Sequence, residues 1–395
     1  MEKRPFIFGL GRNVFFAGLV SLFMDMSSEM IYPLLPIFLI NTLGASKTAL
    51  GVIEGVAEAT ASLLKIASGW LSDRFGGKKL LMAVGYGVST VSRPMIAGAG
   101  SWADVFLARF VDRTGKGVRG APRDAIIADS TEKNKLGLAF GFHRAMDTTG
   151  AIIGPAIAFI LLLYFTDNLR LVFLAAALPG VLAVATIIFF IKEKRRPIEV
   201  KTLPSLSIQS FDGQFRLYLA VIAVFSLGNF ADAFIILRAH ELGVRDWLIP
   251  IVYLSFNVVY AAVSIPMGIL GDRIGLRRMV LAGFIYFSII FAGFAASNSA
   301  LHIWILFPLF GAFKGMSEGV QRAYLASLAP PDRKATAFGV YHAVVGLCLL
   351  PASIIAGFLW DRSGAGSAFF FGSGASMLAA FIFVFSEPRG LKTQT

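Results

Sequence analysis

Cysteine and charge are both scarce in this sequence, and each shortage excludes a class of protein. The single cysteine, Cys348, cannot form an intrachain disulfide. Charged residues make up only 15% of the 395 positions and hydrophobic residues make up 56%, whereas a soluble domain averages about 25% charged residues. This balance excludes a disordered chain and disfavours a water-soluble enzyme.

Sequence motifs of ATP hydrolysis, metal binding and catalysis are also missing. There is no Walker A sequence, no HExxH and no CxxC, and no Ser/His/Asp constellation stands out. We therefore expect that the protein is not an enzyme and has no catalytic residues. We also expect no ATP-driven activity and no dedicated metal site.

Long apolar runs are abundant instead, and the mean hydropathy is +0.72. Many runs reach the roughly 20 residues that a helix needs to cross a bilayer. The first run, 13–40, is too long for a cleavable signal and is interpreted as a retained span. We predict twelve membrane helices, at 13–40, 47–72, 78–99, 102–128, 136–165, 169–191, 215–239, 246–271, 276–297, 300–328, 334–360 and 366–386.

The basic residues fall mostly in the connections on one side of these spans. We count about 20 Lys and Arg residues there and about five on the opposite side, so the positive-inside rule places both termini in the cytoplasm. The net charge of +12 is therefore a signal of membrane orientation and does not indicate a nucleic-acid partner. The longest polar connection, 192–214, is predicted to be a cytoplasmic linker between halves at 1–191 and 215–395.

The two halves repeat each other at an offset of about 199 residues. The segment 69–79, GWLSDRFGGKK, matches 268–278, GILGDRIGLRR, and 139–145, AFGFHRA, matches 337–343, AFGVYHA. Parallel repeats around a site near the bilayer midplane are typical of secondary transporters. Chance similarity between apolar helices does not explain the charged residues that keep register.

With this repeated loop, the chain resembles the major facilitator superfamily. The resemblance covers the whole chain and implies an all-α integral membrane fold with twelve transmembrane helices in two pseudosymmetric six-helix bundles. The loop chemistry favours a gate, because two glycines permit a tight turn and an aspartate lies among basic residues that can join neighbouring helix ends. The predicted gating residues are Gly69, Asp73, Arg74, Gly76, Lys78, Lys79, Asp272 and Arg273.

Two further segments are similar to motifs of the family. Arg109 occupies the place of its fourth-span arginine, and 150–158, GAIIGPAIA, resembles the fifth-span antiporter motif, with Ala158 where glycine is usual. The second similarity implies export. The segments 27–36 and 112–125 resemble a little-characterised prokaryotic branch near the drug/proton antiporters.

Charged residues inside the predicted spans are candidates for function, because each costs at least about 2.5–3.5 kcal/mol to insert. Helical spacing and depth place Asp25, Glu58, Arg109, Asp112 and Arg113 in one layer just outside the midplane. A second layer, just inside it, contains Lys65, Lys116, His143, Arg144 and Asp147, whereas Glu29 and Glu54 lie nearer the outer mouth. The candidate proton-coupling or substrate-binding residues are Asp25, Glu29, Glu58, Arg109, Asp112, Arg113, Lys116, His143, Arg144, Asp147, Asn229, Asp232, Asn257, Lys314 and Glu318.

The second half provides an internal control for these charges. Glu58 corresponds to Asn257 and Arg109 to Pro308, so the scaffold does not require the charges. A partly desolvated carboxylate near an arginine can exchange a proton for substrate. The alternative is that the charges form ion pairs that only hold helices together.

We therefore expect a secondary active transporter that exports a small polar, charged or metal-chelating molecule in exchange for protons. Proton-coupled uptake of an organic anion or metal chelate is an alternative, since several arginines would attract an anion. A membrane sensor on a transporter scaffold is an alternative of another class. The expected partners are the small-molecule substrate and the lipid bilayer, in the cell membrane, with a monomeric chain and no cofactor besides the coupling proton.

Overall fold

The computed structural model describes residues 10–75, 77–132, 135–165, 168–193, 211–330 and 334–385. Within these ranges the chain forms fifteen α-helices. They are α1 (Arg12–Ile31), α2 (Leu35–Ile37), α3 (Lys47–Phe75), α4 (Lys78–Gly98), α5 (Trp102–Asp129), α6 (Leu136–Tyr164), α7 (Leu169–Ala175), α8 (Ala177–Phe190), α9 (Gly213–Gly228), α10 (Ala233–Glu241), α11 (Ile249–Ile274), α12 (Leu276–Ala296), α13 (Ala300–Leu328), α14 (Lys334–Ser363) and α15 (Ala365–Phe385).

The fifteen helices correspond to the twelve predicted spans, because three spans are broken. The first consists of α1, α2 and a π-helical turn, Phe38–Thr42; the sixth consists of α7 and α8; and the seventh consists of α9 and α10. Ten of the twelve segments are long and apolar enough to cross a membrane by composition. The other two, α3 and α5, have 29 and 28 residues, which is sufficient length at about 1.5 Å per residue, but they carry many charges.

Helix contacts fall into two groups that follow the sequence repeat. The helices α1 to α8 pack mainly with one another, as in the α4–α5 and α1–α6 pairs, and α9 to α15 do the same, as in the α11–α13 and α12–α15 pairs. The principal contacts between the groups are α3 with α14 and α6 with α11. Residues 194–210, most of the predicted linker, lie outside the described residues.

The two groups meet tightly at the membrane side away from the chain ends, which we call the far side. There the Asp361 carboxylate at the end of α14 accepts hydrogen bonds from the backbone N–H groups of Lys47 (3.0 Å) and Thr48 (2.8 Å) at the start of α3. A Cβ atom on Gly51 would collide with the backbone of Ser353, so glycine permits this close approach. The side that carries the chain ends is called the termini side.

Candidate functional site

A buried charged network joins α3, α4 and α5. Arg109 binds Glu54 through two contacts, Nε to Oε1 at 2.9 Å and Nη2 to Oε2 at 2.6 Å. Asp112, one turn further along α5, accepts from Arg109 at 3.5 Å and lies 3.1 Å from Arg93 of α4. All four residues are buried. Their helices are therefore joined by charge-assisted contacts in a dry environment.

The network continues toward the centre of the protein through Arg113. Its Nη2 lies 3.0 Å from Oε1 of Glu58, and its Nε lies 4.0 Å from Asp112. Glu58 is the partly exposed end, with 31% of its side chain accessible. The members are Glu54, Glu58, Arg93, Arg109, Asp112 and Arg113.

Three carboxylates and three guanidinium groups make this network electrically neutral, which explains why charged helices fit inside an apolar fold. Sequence reasoning placed Glu54 near the outer mouth and left it and Arg93 out of the candidate site. The structure makes both of them partners of candidate residues. The pairing corresponds to the alternative in which these charges hold helices together.

A second cluster lies between α1 and α6 and has a different character. The carboxyl groups of Asp25 and Asp147 are near enough to interact directly. Arg144 lies 3.4 Å from Asp147, and Lys116 of α5 is within electrostatic range of Asp25. We call these four residues the acidic-pair cluster.

The predicted depth layers are therefore corrected at Asp25. We expected it beside Glu58 and Arg109, but the structure pairs it with Asp147 of the other layer. The reason is helix packing: Gly150 brings α6 against the backbone of α1 around Asp25, and residue depth alone does not specify which helix is the neighbour.

His143 is buried one turn before Asp147, and its Nε2 lies 2.6 Å from the Ser21 hydroxyl. The contact joins α6 to α1 and occupies that ring nitrogen. His143 therefore belongs to helix packing within the first half, and it does not line the accessible cluster.

Polar residues of the second half reach the acidic-pair cluster through α11. Arg144 donates to the Tyr260 hydroxyl at 2.5 Å, and that hydroxyl donates to Glu318 of α13 at 3.2 Å. Near the middle of α11, Asn257 donates to the backbone carbonyl of Ala151 at 3.1 Å. Lys314 pairs with Asp232 at 3.1 Å.

Solvent reaches this central region from the termini side. Lys65, Lys116, Arg144 and Glu318 lie well within their helices and are nevertheless exposed, and 58% of the Arg144 side chain is accessible. Far-side contacts such as Asp361 with Thr48 close the opposite end. We call the accessible space around these charged side chains the polar hollow, and the contacts between the halves that close it lie on the far side.

Comparisons with known proteins agree with this architecture. The sequence profile of the Major Facilitator Superfamily matches residues 17–247 and 217–395. The chain belongs to this superfamily. It is a multi-pass membrane transporter of small molecules and not an enzyme.

Individual relatives extend the comparison. An uncharacterized MFS-type transporter of Methanocaldococcus jannaschii is 37% identical, with 95% of each chain covered. Multidrug resistance protein MdtG of Serratia proteamaculans is 27% identical over 80% of this chain and 79% of its own. Among solved structures, the nucleoside transporter NupG superposes with a TM-score of 0.75 at 14% identity, covering 95% of this chain and 100% of its own, and supports the fold alone.

The predicted gating loop of this superfamily member is described only in part. Gly76 and the side chains of Asp73 and Arg74 lie outside the described part of the chain, and of Gly69 only its place in α3 is described. Lys78 pairs with Asp129 of α5 at 2.7 Å, and Glu193 accepts from the backbone N–H groups of Lys78 (2.7 Å) and Lys79 (3.2 Å). These contacts tie α4 to neighbours of its own half.

The second copy of the loop motif is open to solvent. Asp272 and Arg273 are exposed and make no ion pair within the described ranges. The gating role therefore stays a prediction. Across the same ranges, no group of three or more His, Cys, Asp or Glu side chains is arranged to hold a metal ion.

Proposed function

We propose that this chain is a proton-coupled antiporter that exports a small polar, charged or metal-chelating molecule by alternating access. In this proposal it works as a monomer in the cell membrane with both termini in the cytoplasm. The hollow of the present structure then faces the cytoplasm, where an exporter collects its substrate.

The carboxyl pair of Asp25 and Asp147 carries the proposal. Two neighbouring carboxyl groups repel each other when both are ionised, and such a pair holds one shared proton well. Lys116 and Arg144 offset this repulsion. A bound substrate that changes the local charge would therefore change proton occupancy, which is the basis of exchange.

The electrically neutral network of α3, α4 and α5, which we call the neutral network, has a separate role in this proposal. Its members are Glu54, Glu58, Arg93, Arg109, Asp112 and Arg113. Its arginines are paired with carboxylates, so it keeps α3, α4 and α5 together as one body. Protonation of the Asp25–Asp147 pair and the movement of that body can then be coupled without exposing a free charge to lipid.

Export receives support from two further observations. The segment 150–158 has the spacing of the antiporter motif, and its Gly150 and Gly154 pack directly against α1. The relative MdtG is named a multidrug resistance protein.

Proton-coupled uptake of an organic anion or metal chelate is the second candidate. It is favoured by the exposed ammonium groups of Lys65 and Lys116, which face the hollow without a carboxylate within 4.0 Å in the described residues. An anion that entered from the open side would meet both groups.

Flux in proteoliposomes with an imposed pH gradient separates these functions. A panel of drug cations, organic acids and metal chelates is first screened by thermal shift on the purified chain, and the stabilising compounds are used for flux. Export predicts substrate movement opposite to the protons, uptake predicts movement with them, and a membrane sensor predicts neither. The Asp25→Asn and Asp147→Asn variants should lose coupled flux, whereas Glu132→Gln, which removes an exposed surface carboxylate, should retain it.

A further inference from the structure

Two helix breaks at nearly equivalent positions of the repeat precede α2 and α10, which contact each other across the two halves. Residues 32–34 separate α1 from α2, and residues 229–232 separate α9 from α10. Tyr32 at the first break is within electrostatic range of Asp232 at the second. Interrupted helices in corresponding halves of a transporter are where substrates and ions bind.

Among the helix ends at these breaks, the C-termini of α1 and α9 favour positive charge, whereas α10 begins here with Asp232 at its N-cap. Both α1 and α9 end here with their C-termini, where the helix dipole is negative and a cation is stabilised. Neither helix has a basic residue in its last turn. In addition, α1 carries Glu29 in its last turn, where a carboxylate is unfavourable unless a cation lies beside it.

Two hydrogen-bond acceptors near the breaks have no donor. Oε2 of Glu29 and Oδ1 of Asn229 are buried and have no hydrogen-bond partner in the described structure. The hydroxyl of Tyr253 lies near the Glu29 carboxyl group. A ligand that satisfied the remaining acceptors would have to donate hydrogen bonds.

The charges around Glu29 leave one negative charge without compensation. The groups facing it are the carboxylates Asp25 and Asp147 and the cations Arg113 and Lys116. Arg113 is already committed to Glu58. Arg123, which also faces Asp147, is committed to Asp124 at 2.9 Å. Arg144 accompanies Asp147. Three carboxylates, Asp25, Glu29 and Asp147, therefore face two available cations, Lys116 and Arg144, and one further positive charge would balance them.

An aromatic column provides an apolar wall beside these acceptors. The rings of Tyr32 and Tyr253 are 5.7 Å apart, those of Tyr253 and Phe256 are 5.6 Å apart, and those of Phe256 and Phe310 are 5.6 Å apart. The column crosses from the first half to the second. Arg109 already lies over the Tyr32 ring at 5.9 Å and Lys314 over the Phe310 ring at 5.2 Å. The faces of Tyr253 and Phe256, between them, can bind both apolar groups and cations.

We propose that the site between the two helix breaks binds a monovalent organic ammonium ion, with its charged head at Glu29 and Asn229 and its apolar or aromatic part on the column of Tyr32, Tyr253 and Phe256. The proposal rests on the proposed function in treating this region as the transport site, and it adds the chemical class of the substrate. The ammonium group supplies both the missing charge and the missing donors.

Three probes that share one apolar body test this class: 4-phenylbutylammonium, 4-phenylbutyrate and 4-phenylbutanol. Their affinities for the purified full chain are measured by titration calorimetry at fixed pH. We expect the ammonium ion to bind at least about tenfold more tightly than the other two, a difference of about 1.4 kcal/mol. Equal or tighter binding of the carboxylate or the alcohol, or no ammonium binding at millimolar concentration, overturns the proposal.

Variants place the binding at this site. Glu29→Gln should weaken ammonium binding by about tenfold or more, and Glu132→Gln should leave it unchanged. Because a loss can come from misfolding, Asn229→Asp is the decisive variant: it adds a second carboxylate at the proposed site and should tighten ammonium binding. Unchanged affinity in Glu29→Gln, or weaker binding in a folded Asn229→Asp, contradicts the site.

Proton release during the same titration distinguishes this proposal from the proposed function. Binding of the ammonium ion with release of protons supports both. Binding without proton release supports the substrate class and rejects proton exchange. Selective binding of 4-phenylbutyrate with proton uptake rejects the substrate class and leaves proton coupling standing.

Discussion

Asn257 of α11 donates its side-chain amide to the carbonyl oxygen of Ala151, the carbonyl that Pro155 leaves without a helical donor. The distance is 3.1 Å and Asn257 is buried. In a continuous α-helix this carbonyl would accept from the N–H of the residue four positions later, but that residue is proline and has no N–H. One half of the transporter therefore completes the backbone hydrogen bonding of the other.

Removal of the Asn257 amide should destabilise the protein by about 1 kcal/mol or more, because the Ala151 carbonyl would be buried without a donor. Pro155→Ala restores the N–H group within α6, so the cost of Asn257→Ala should be smaller in that background. A double-mutant cycle of thermal unfolding in detergent measures the difference. Equal costs in the two backgrounds would show that the amide does not compensate for the proline, and Asn298→Ala, at an exposed position, is the control.

Removing one member of the neutral network should lower the free energy of unfolding far more than removing two oppositely charged partners together. Glu54→Gln leaves Arg109 buried without its bidentate partner, and the expected loss of stability is about 3–5 kcal/mol. The combined variant Glu54→Gln with Arg109→Gln removes both charges and should recover part of that loss. Thermal unfolding measures all three proteins. A Glu54→Gln protein as stable as the wild type would contradict the proposed pairing.

The fold was predictable because its causes are local and repeated. Hydropathy and length located the spans, and the matching segments 69–79 and 268–278 revealed two related halves. Helical spacing also placed Arg109, Asp112 and Arg113 on one face, and all three contact the same network. Such patterns depend only on the geometry of one helix at a time.

The pairing of charges was less predictable because it depends on which helices are neighbours. Glu54 and Arg109 lie at similar distances from the far-side ends of α3 and α5, yet depths counted from opposite helix ends separated them. Asp25 was assigned to the wrong layer for a related reason, since the close contact of α1 with α6 is set by Gly150. The prediction treated the segments around Tyr32 and Asn229 as continuous spans, because hydropathy is averaged over a window and does not register a break of a few residues; Pro33 and Pro36, which favour a kink, were the available signal for the first break.

Ammonium binding should tighten as the pH on the open side rises. If one proton on the Asp25–Asp147 pair competes with one cation, protonation removes the charge that the cation needs, and deprotonation at higher pH restores it. In the range where the pair is protonated, the Kd of 4-phenylbutylammonium should fall by about tenfold per pH unit. The probe stays charged, because alkylammonium groups lose their proton only near pH 10.

Asp25→Asn should flatten this dependence, since an amide holds no exchangeable charge. Titration calorimetry between pH 6 and pH 8 measures the slope, and Glu132→Gln should keep the wild-type slope. An unchanged slope in both Asp25→Asn and Asp147→Asn would remove these carboxylates from the exchange.

Asp361 should hold the far side closed, because it caps a helix that belongs to the other half. Its carboxylate accepts from the first-turn N–H groups of Lys47 and Thr48 and from the Thr48 hydroxyl at 2.7 Å. These N–H groups have no partner inside α3, and a carboxylate at a helix start is stabilised by the dipole. Opening of the far side must break all three contacts.

Asp361→Ala should therefore shift the protein toward far-side opening by about 1 kcal/mol, or about fivefold in population. Spin labels on Thr42→Cys and Arg245→Cys, in a Cys348→Ser background, report the distance between the halves at this side. We expect a larger population of long distances in the variant. Asp104→Asn is a matched control, because Asp104 caps the start of α5 from within the same helix and its loss weakens a helix end without releasing the two halves. Equal distance distributions in Asp361→Ala and the wild type would show that the far side is held by other contacts, such as the Asn41–His240 hydrogen bond of 2.8 Å.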